Sequence, residues 1–284
     1  MANQILGAAL AKARSEELKI KVDALKKAGV NPKLVIVRFG DQAGDLAYER
    51  GILRTFSPIG IFVETRKLDE NAPQSELMDV FKSLADDPSV HGILPMRPFP
   101  KWIDDELARN AIPPEKDADG VCDRSLASVF TGAQTGYAPC TAEACMALLE
   151  FEQIPLEGCR AVVVGRSLVI GKPVAMLLLQ KNATVTIAHS RSKDLSNITR
   201  EADILVVAAG KRSLIGAEHV RAGQAVLDVG MHFDAQGGPY GDVDYSAAEP
   251  IVSAITPARG GVGSVTTVIL AGHVVDAAER NHTV

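Results

Sequence analysis

Three short runs rich in branched and aromatic residues, LVIVRFG (34–40), IFVETRKL (61–68) and VHGILP (90–95), are separated by stretches of helical periodicity at 44–59 and 75–87. Nothing else in the sequence constrains the fold as much. Strands joined by helices run parallel, because each helix returns the chain to the edge where the next strand starts, and the helices then flank the sheet. The pattern resumes with CRAVVVG (159–165), ATVTIAH (183–189), DILVVAAG (203–210), QAVLDVG (224–230) and IVSAIT (251–256). Residues 2–29 read as an opening helix that stops at Gly29, before Asn31-Pro32. TAEACMALLEFEQI (141–154) reads as a helix bridging to the second series, and VGSVTTVILAGHVVDAAERN (262–281) as a helix long enough to pack back onto the first. The expected fold is α/β with parallel sheet in two domains, 1–140 with 263–284 and 141–262. Between them, Met96 to Cys140 reads as a loop-rich stretch punctuated by Pro98, Pro100, Pro113-Pro114 and Gly132. Long irregular segments in compact domains are often functional.

Composition narrows the function. At 46% hydrophobic and 23% charged residues, a chain of 284 residues can bury a sizeable core. A net charge of −5 argues against general nucleic-acid binding, which needs a basic face. Cys122, Cys140, Cys145 and Cys159 form no CxxC pair and have no histidine at zinc spacing, so buried or free thiols in a reducing compartment are expected and no metal site. The N-terminal MANQILGAALAKARSEELK lacks the apolar core of a secretion signal, and no apolar run reaches the about 18 residues of a membrane span. A cytoplasmic location is expected, without membrane partners.

The segment VVVGRSLVIGKPVAMLLL (162–179) is strand, glycine-bearing turn, then helix. Gly165 ends the strand, Gly171 lets backbone approach a ligand, and Pro173 suits a first helical turn. A helix N-terminus offers free N–H groups and partial positive charge to an anion. A glycine turn after a strand also builds ordinary structural turns, so the next strand decides. NAD sites place an acid at its end, against the ribose hydroxyl. Here that end reads His189-Ser190-Arg191-Ser192, where a 2′-phosphate would meet a hydroxyl and a guanidinium. With Arg166, this favours NADP over NAD; a solvated basic loop is the plain alternative.

GRSLVIGKP followed by ATVTIAHSRS resembles the cofactor turn and second strand of the methylenetetrahydrofolate dehydrogenase/cyclohydrolases. TPARGGVGSVTT (256–267) is similar to that family's second signature, which usually has proline where Arg259 and Ser264 stand. GILPMRPFP (92–100), KDADG (116–120), PCTAEACMALL (139–149) and GDVDY (241–245) fall in the family's order and spacing. The resemblance implies an N-terminal catalytic domain completed by the C-terminal helix, a Rossmann-type NADP domain, and a cleft where folate meets nicotinamide. It also implies a homodimer formed through the cofactor domains. The implied chemistry passes a hydride from 5,10-methylenetetrahydrofolate to NADP and then opens the methenyl cation with water. Carried over residue by residue, the active-site tyrosine is Tyr48 and the pterin-holding aspartate Asp119, the two implied catalytic residues. Met96, Pro257, Gly260 and Gly261 join them on the folate side. Gly165, Arg166, Ser167, Gly171, Ser190, Arg191, Gly210, Thr256 and Gly263 are the implied cofactor contacts. From sequence alone, Asp119 reads equally well as a turn residue before Gly120.

The match breaks inside one motif. In AYERGILR (47–54) the family's lysine, four residues after the tyrosine, is Ile52, and its supporting glutamine is Met96. Arg50 points away from Tyr48 on a helix, and neither Arg50 nor Arg54 is a usable base, because arginine stays protonated. Hydride transfer needs alignment and no protein-borne proton. Hydrolysis needs a positioned acid–base group, worth about 10²–10⁴-fold. The sequence therefore predicts that the dehydrogenase survives and the cyclohydrolase is weak or absent. Arg97, in place of an apolar residue, is expected either to pair with Asp45, which stands where the family has serine, or to bind carboxylates together with Arg259. Two further readings stay open: an NADP-dependent enzyme on another acidic substrate, and an inactive ligand-binding paralogue.

Overall fold

The structure is a computed structural model that describes residues 2–133, 135–233 and 238–282. Its strands and helices, in chain order, are β1 (Asn3–Gln4), α1 (Gly7–Lys27), β2 (Lys33–Phe39), α2 (Ala43–Ile59), β3 (Phe62–Leu68), α3 (Gln74–Asp86) and β4 (Gly92–Pro95). Then come α4 (Asp105–Asn110), α5 (Asp123–Thr131), α6 (Cys140–Phe151), β5 (Arg160–Val164), α7 (Gly171–Gln180), β6 (Thr184–Ala188) and α8 (Leu195–Arg200). The chain ends with β7 (Ile204–Val207), β8 (Ala225–Asp228), β9 (His232–Phe233), β10 (Pro239–Tyr240), α9 (Tyr245–Ala248), β11 (Ala254–Ile255) and α10 (Thr266–His282). Two compact units result: a small-sheet unit, Lys12–Cys140 with Thr267–Val284, and a large-sheet unit, Met1–Ala11 with Thr141–Thr266.

In the small-sheet unit, three parallel strands lie in the order β3-β2-β4. Central β2 is buried along almost its whole length, as a parallel strand covered on both faces should be. Val35, Val37 and Ile93 pack with Leu77, Phe81 and Leu84 of α3. In the large-sheet unit, parallel strands take the order β1-β11-β8-β7-β5-β6. Val162, Val164, Leu205, Val207, Val226 and Ile255 form its core. The chain leaves β5 towards β6 on one side and then returns to β7 on the other, so the order reverses at β5, where ligands of open α/β sheets bind.

Three local readings needed correction. The segment before Gly7 is not helix. Asn3 and Gln4 pair in parallel with Ala254 and Ile255, and the Gly7 N–H donates to the Gly260 carbonyl at 2.9 Å, so an otherwise open strand edge is satisfied before the helix begins. The last helix starts at Thr266, after a single 3₁₀ turn at Val262–Ser264. The Met96–Cys140 stretch holds α4 and α5, of six and nine residues. The Asp104 side chain caps α4 by accepting from the Leu107 N–H at 3.0 Å, and Asp123 ties α5 to α4 through Arg109 and Asn110. All four cysteines are buried thiols.

The C-terminal end of α3 is closed by a side chain from far along the chain. The buried Lys116 ammonium donates to the carbonyls of Leu84 (3.2 Å), Ala85 (2.7 Å) and Asp87 (2.7 Å). Three carbonyls with no helical partner are thereby satisfied, and the following Asp117–Gly120 turn is held in place. Burial lowers the lysine's pKa without removing its charge-dipole role. Replacing Lys116 by Met is expected to cost about 1–3 kcal/mol by orphaning the Leu84 and Ala85 carbonyls. Calorimetric melting should show a clear drop in Tm; an unchanged Tm would mean that the ammonium is dispensable.

Candidate functional site

Two sets of residues concentrate chemistry, one in each unit. In the large-sheet unit the end of β5 and the turn after it line a cavity of about 420 Å³. Gly165, Arg166, Ser167, Ser190, Ser192, Ala208, Ala209 and Lys211 line it, with His189 and Leu195. Gly165 has φ 138°, and a Cβ there would overlap the Ala208 carbonyl, so only glycine lets the chain leaving β5 pass this close to the chain leaving β7. The Ser167 hydroxyl accepts from the N–H groups of Ile170 (3.2 Å) and Gly171 (3.4 Å), which folds the turn back onto the start of α7. At the end of β6, the Ser192 hydroxyl accepts from the His189 N–H at 3.0 Å, and His189 Nδ1 accepts from the Arg191 N–H at 3.2 Å. These bonds shape a loop whose Ser190 and Arg191 side chains are exposed. Among the described residues that line the cavity there is no carboxylate, whereas Arg166 and Lys211 bring cations. That donor set fits a phosphorylated dinucleotide.

Of the nine expected cofactor residues, Gly165, Arg166, Ser167 and Ser190 line the cavity, while Gly171, Arg191, Gly210, Thr256 and Gly263 do not. Gly171 opens α7. Thr256 is fully buried, and its hydroxyl accepts from the Asp228 N–H at 2.7 Å, which fastens the end of β11 to β8. Lys211 went unnoticed in the sequence; its signal was a cation just beyond DILVVAAG, the strand beside β5. Gly260 to Gly263 form a tight turn. The Ser264 hydroxyl donates to the carbonyls of Gly260 (3.1 Å) and Gly261 (2.6 Å), bonds that a proline at this position could not make. Pro257 is partly buried beside this turn, and Arg259 is exposed.

In the small-sheet unit the KDADG segment divides three charges among three tasks. Lys116 closes α3 as described above. Asp117 is fully buried and accepts from the N–H groups of Val121 (3.1 Å) and Cys122 (2.8 Å), ahead of α5. Asp119 itself lies in the turn before Gly120, whose φ is 68°. Burial, and then the neighbouring Asp117 charge, raise the Asp119 pKa to about 6, against a hydrogen bond from the Cys140 thiol and the opposing charges of His273 and Arg97. Cys140 Sγ also lies 3.6 Å from His273 Nδ1, which in turn is 2.7 Å from the Ala118 carbonyl, and the His273 ring stacks on Tyr137 at 4.5 Å. Cys140 and His273 were not among the expected site residues. Tyr48 is brought within electrostatic reach of Asp119: burial first, and then the Asp119 charge, push its phenol well above the usual range.

Tyr48 is 37% exposed while Ile52, one turn on, is 0% exposed. The two share a helix face, but Ile52 belongs to the core with Phe56 and Ile59. Met96 is also buried, at 5%. Arg50 and Arg54 are exposed. The expected Arg97–Asp45 pair is not formed. Arg97 forks onto Asp105, with Nη2 at 2.6 Å and 2.7 Å from the two carboxylate oxygens. Asp105 sits in the first turn of α4, the helix that sequence reading had left as loop. Arg97 is therefore not a free carboxylate receptor either. Asp45 has its pKa raised by burial, with Arg38 opposing.

Comparison with known proteins covers both units. Residues 5–119 match the profile of the tetrahydrofolate dehydrogenase/cyclohydrolase catalytic domain, and residues 139–282 that of the same family's NAD(P)-binding domain. A bifunctional FolD protein of Alkaliphilus oremlandii is 43% identical over 284 residues, covering 100% of both chains. One from Clostridioides difficile is 46% identical over 273 residues, covering 96% of this chain and 95% of its own. The crystal structure of the Campylobacter jejuni FolD enzyme superposes with a TM-score of 0.96 at 36% identity, covering 99% of each chain. That of the Trypanosoma brucei enzyme, complexed with NADP and inhibitor, superposes at 0.92 with 33% identity over 98% of each chain. With the dinucleotide cradle in one unit and the Tyr48–Asp119 pair in the other, the chain belongs to the tetrahydrofolate dehydrogenase/cyclohydrolase family.

Proposed function

We propose that this protein is an NADP-dependent methylenetetrahydrofolate dehydrogenase whose cyclohydrolase activity is weak or absent. The observation that carries this reading is Ile52: one turn beyond Tyr48 the helix offers a fully buried hydrocarbon, while the dinucleotide cavity keeps Gly165, Arg166, Ser167 and Ser190 in its lining. NADP, when bound, supplies the hydride acceptor for oxidation of the 5,10-methylene bridge to 5,10-methenyltetrahydrofolate.

The chain's own residues then act by holding and orienting. Arg166, Ser190 and Arg191 hold the 2′-phosphate, and Gly165, Ser167 and the start of α7 receive the pyrophosphate. Asp119 accepts from the donor groups of the pterin, and Tyr48 packs and hydrogen-bonds beside it. Gly171, Gly210, Thr256 and Gly263 serve the cofactor side through the backbone they shape. Pro257, Gly260 and Gly261 belong to the folate side, with Met96. No proton has to be removed for the oxidation, since folate nitrogen lone pairs stabilise the developing cation. Hydrolysis of that cation requires a water to be deprotonated, and neither Ile52 nor Met96 can take part. On this reading the protein is a cytoplasmic homodimer. No helix among the described residues is long and apolar enough to cross a membrane.

Three measurements test this reading. Supplied with methylenetetrahydrofolate, the purified protein should reduce NADP; supplied with methenyltetrahydrofolate, it should not hasten its hydrolysis. Turnover of the methenyl compound at the level of a family member that keeps the lysine would refute the proposed loss. Replacing Arg166 by Gln removes a charged hydrogen-bond donor worth about 1.5–3 kcal/mol, so the KM for NADP should rise by about 10–100-fold with little change for NAD. An equal rise for both cofactors would place Arg166 elsewhere. Because Asp119 ionises only near pH 6, kcat/KM for the folate should fall about tenfold per pH unit below that value. The Asp119→Asn variant should be slow and lack that acid limb; retention of the limb would assign it to another group.

A further inference from the structure

The last strands of the large-sheet unit enclose a buried polar clasp for which the reaction has no direct use. Asp242 is 0% exposed. Its Oδ2 accepts from two consecutive backbone N–H groups, Ala209 at 2.7 Å and Gly210 at 2.8 Å, and its Oδ1 lies 2.8 Å from His232 Nε2. Beneath it, the Asp228 carboxylate accepts from the N–H groups of Gly230 (2.9 Å), Asp242 (3.0 Å) and Val243 (3.0 Å). A Cβ at Gly241 would overlap the Asp228 carboxylate, so the two acids interlock across that residue. Every strong acceptor in the cluster is used, as buried carboxylates demand.

The location gives the clasp a purpose. β7 ends at Val207, and the last bond tying this segment to β5 is Ala208 N–H to the Val164 carbonyl at 2.8 Å. Beyond it the backbone of Ala209 and Gly210 has left the ladder and needs another acceptor. Yet Ala208, Ala209 and Lys211 form one wall of the cavity. The Asp242 carboxylate is what replaces the lost ladder there. Two successive N–H groups converging on one oxygen fix both peptide planes at once.

We infer that Asp242, clasped by Asp228 and His232, is a positioning residue for the cofactor: it holds the Ala209–Lys211 wall in its binding geometry before the dinucleotide arrives. This rests on the reading that the cavity takes NADP. Asn at 242 keeps an oxygen for both N–H groups and an amide for His232, whereas Ala leaves the wall untethered.

The experiment measures binding and amide exchange rather than turnover. In cofactor-free wild-type protein the Ala209 and Gly210 amides should exchange slowly, and NADP should change them little. Asp242→Ala should weaken NADP binding about tenfold or more, with tetrahydrofolate affinity held within twofold, and Asp242→Asn should restore most of the loss. Unchanged NADP affinity in Asp242→Ala, or equal weakening of both ligands, overturns the inference. Should that variant fail to fold, exchange in the wild type decides: rapid exchange of the two amides without NADP overturns it, and protection upholds it. Wild-type protein that does not bind NADP would instead defeat the cavity reading on which the inference stands.

Discussion

The parting of two hydrogen-bonded neighbours is the constraint on which the cofactor side depends. β5 pairs in parallel with both β6 and β7, and at Val164 the chain must choose one side. It turns towards β6 by way of α7, and the crevice left at the carboxyl end opens between Gly165 and Ala208. A side chain at Gly165 would collide with the Ala208 carbonyl. Ser167 takes up the first N–H groups of the helix that follows, through its hydroxyl and its carbonyl, and Arg166 and Lys211 bring positive charge to the gap. Binding geometry here is a by-product of how parallel strands must be connected.

On the folate side, one short acidic segment does three mechanically different things. Lys116 satisfies the end of a helix, Asp117 caps the start of another, and only then is Asp119 held between them with its carboxylate unspent on folding. The two structural charges explain why the third can be partly buried, close to a like charge, and still be retained. The thiol of Cys140 and the imidazole of His273 offset part of that electrostatic cost from the other side. Ile52 is the opposite case, a residue that belongs to the core and leaves Tyr48 without a polar side chain four residues further along the helix.

Much of this was legible in the order of residues. The strands and long helices followed from periodicity, the cofactor cradle from a glycine turn and an absent acid, and the missing base from one position in one helix. What escaped was set by contacts distant in sequence or by elements too short to show a period. The two-residue strand at Asn3–Gln4 exists only because β11 offers it an edge. α4, with six residues, is under two turns long, and overlooking it produced the mistaken partner for Arg97: Asp105 could not be seen as a neighbour while its helix was read as loop. The roles of Cys140 and His273 were hidden for a related reason, since their meeting joins positions 133 residues apart. Thr256 illustrates a subtler miss, a conspicuous hydroxyl whose bonds are spent on joining β11 to β8.

The loop proposed to meet a ribose 2′-phosphate hangs from β6, the outermost strand of its sheet, with Ser190 and Arg191 facing solvent. Exchanging those side chains would disturb no interior packing. Preference between the two pyridine nucleotides is thus a trait that evolution could revise at little thermodynamic penalty, while the glycine that admits either one is locked in place by the backbone around it.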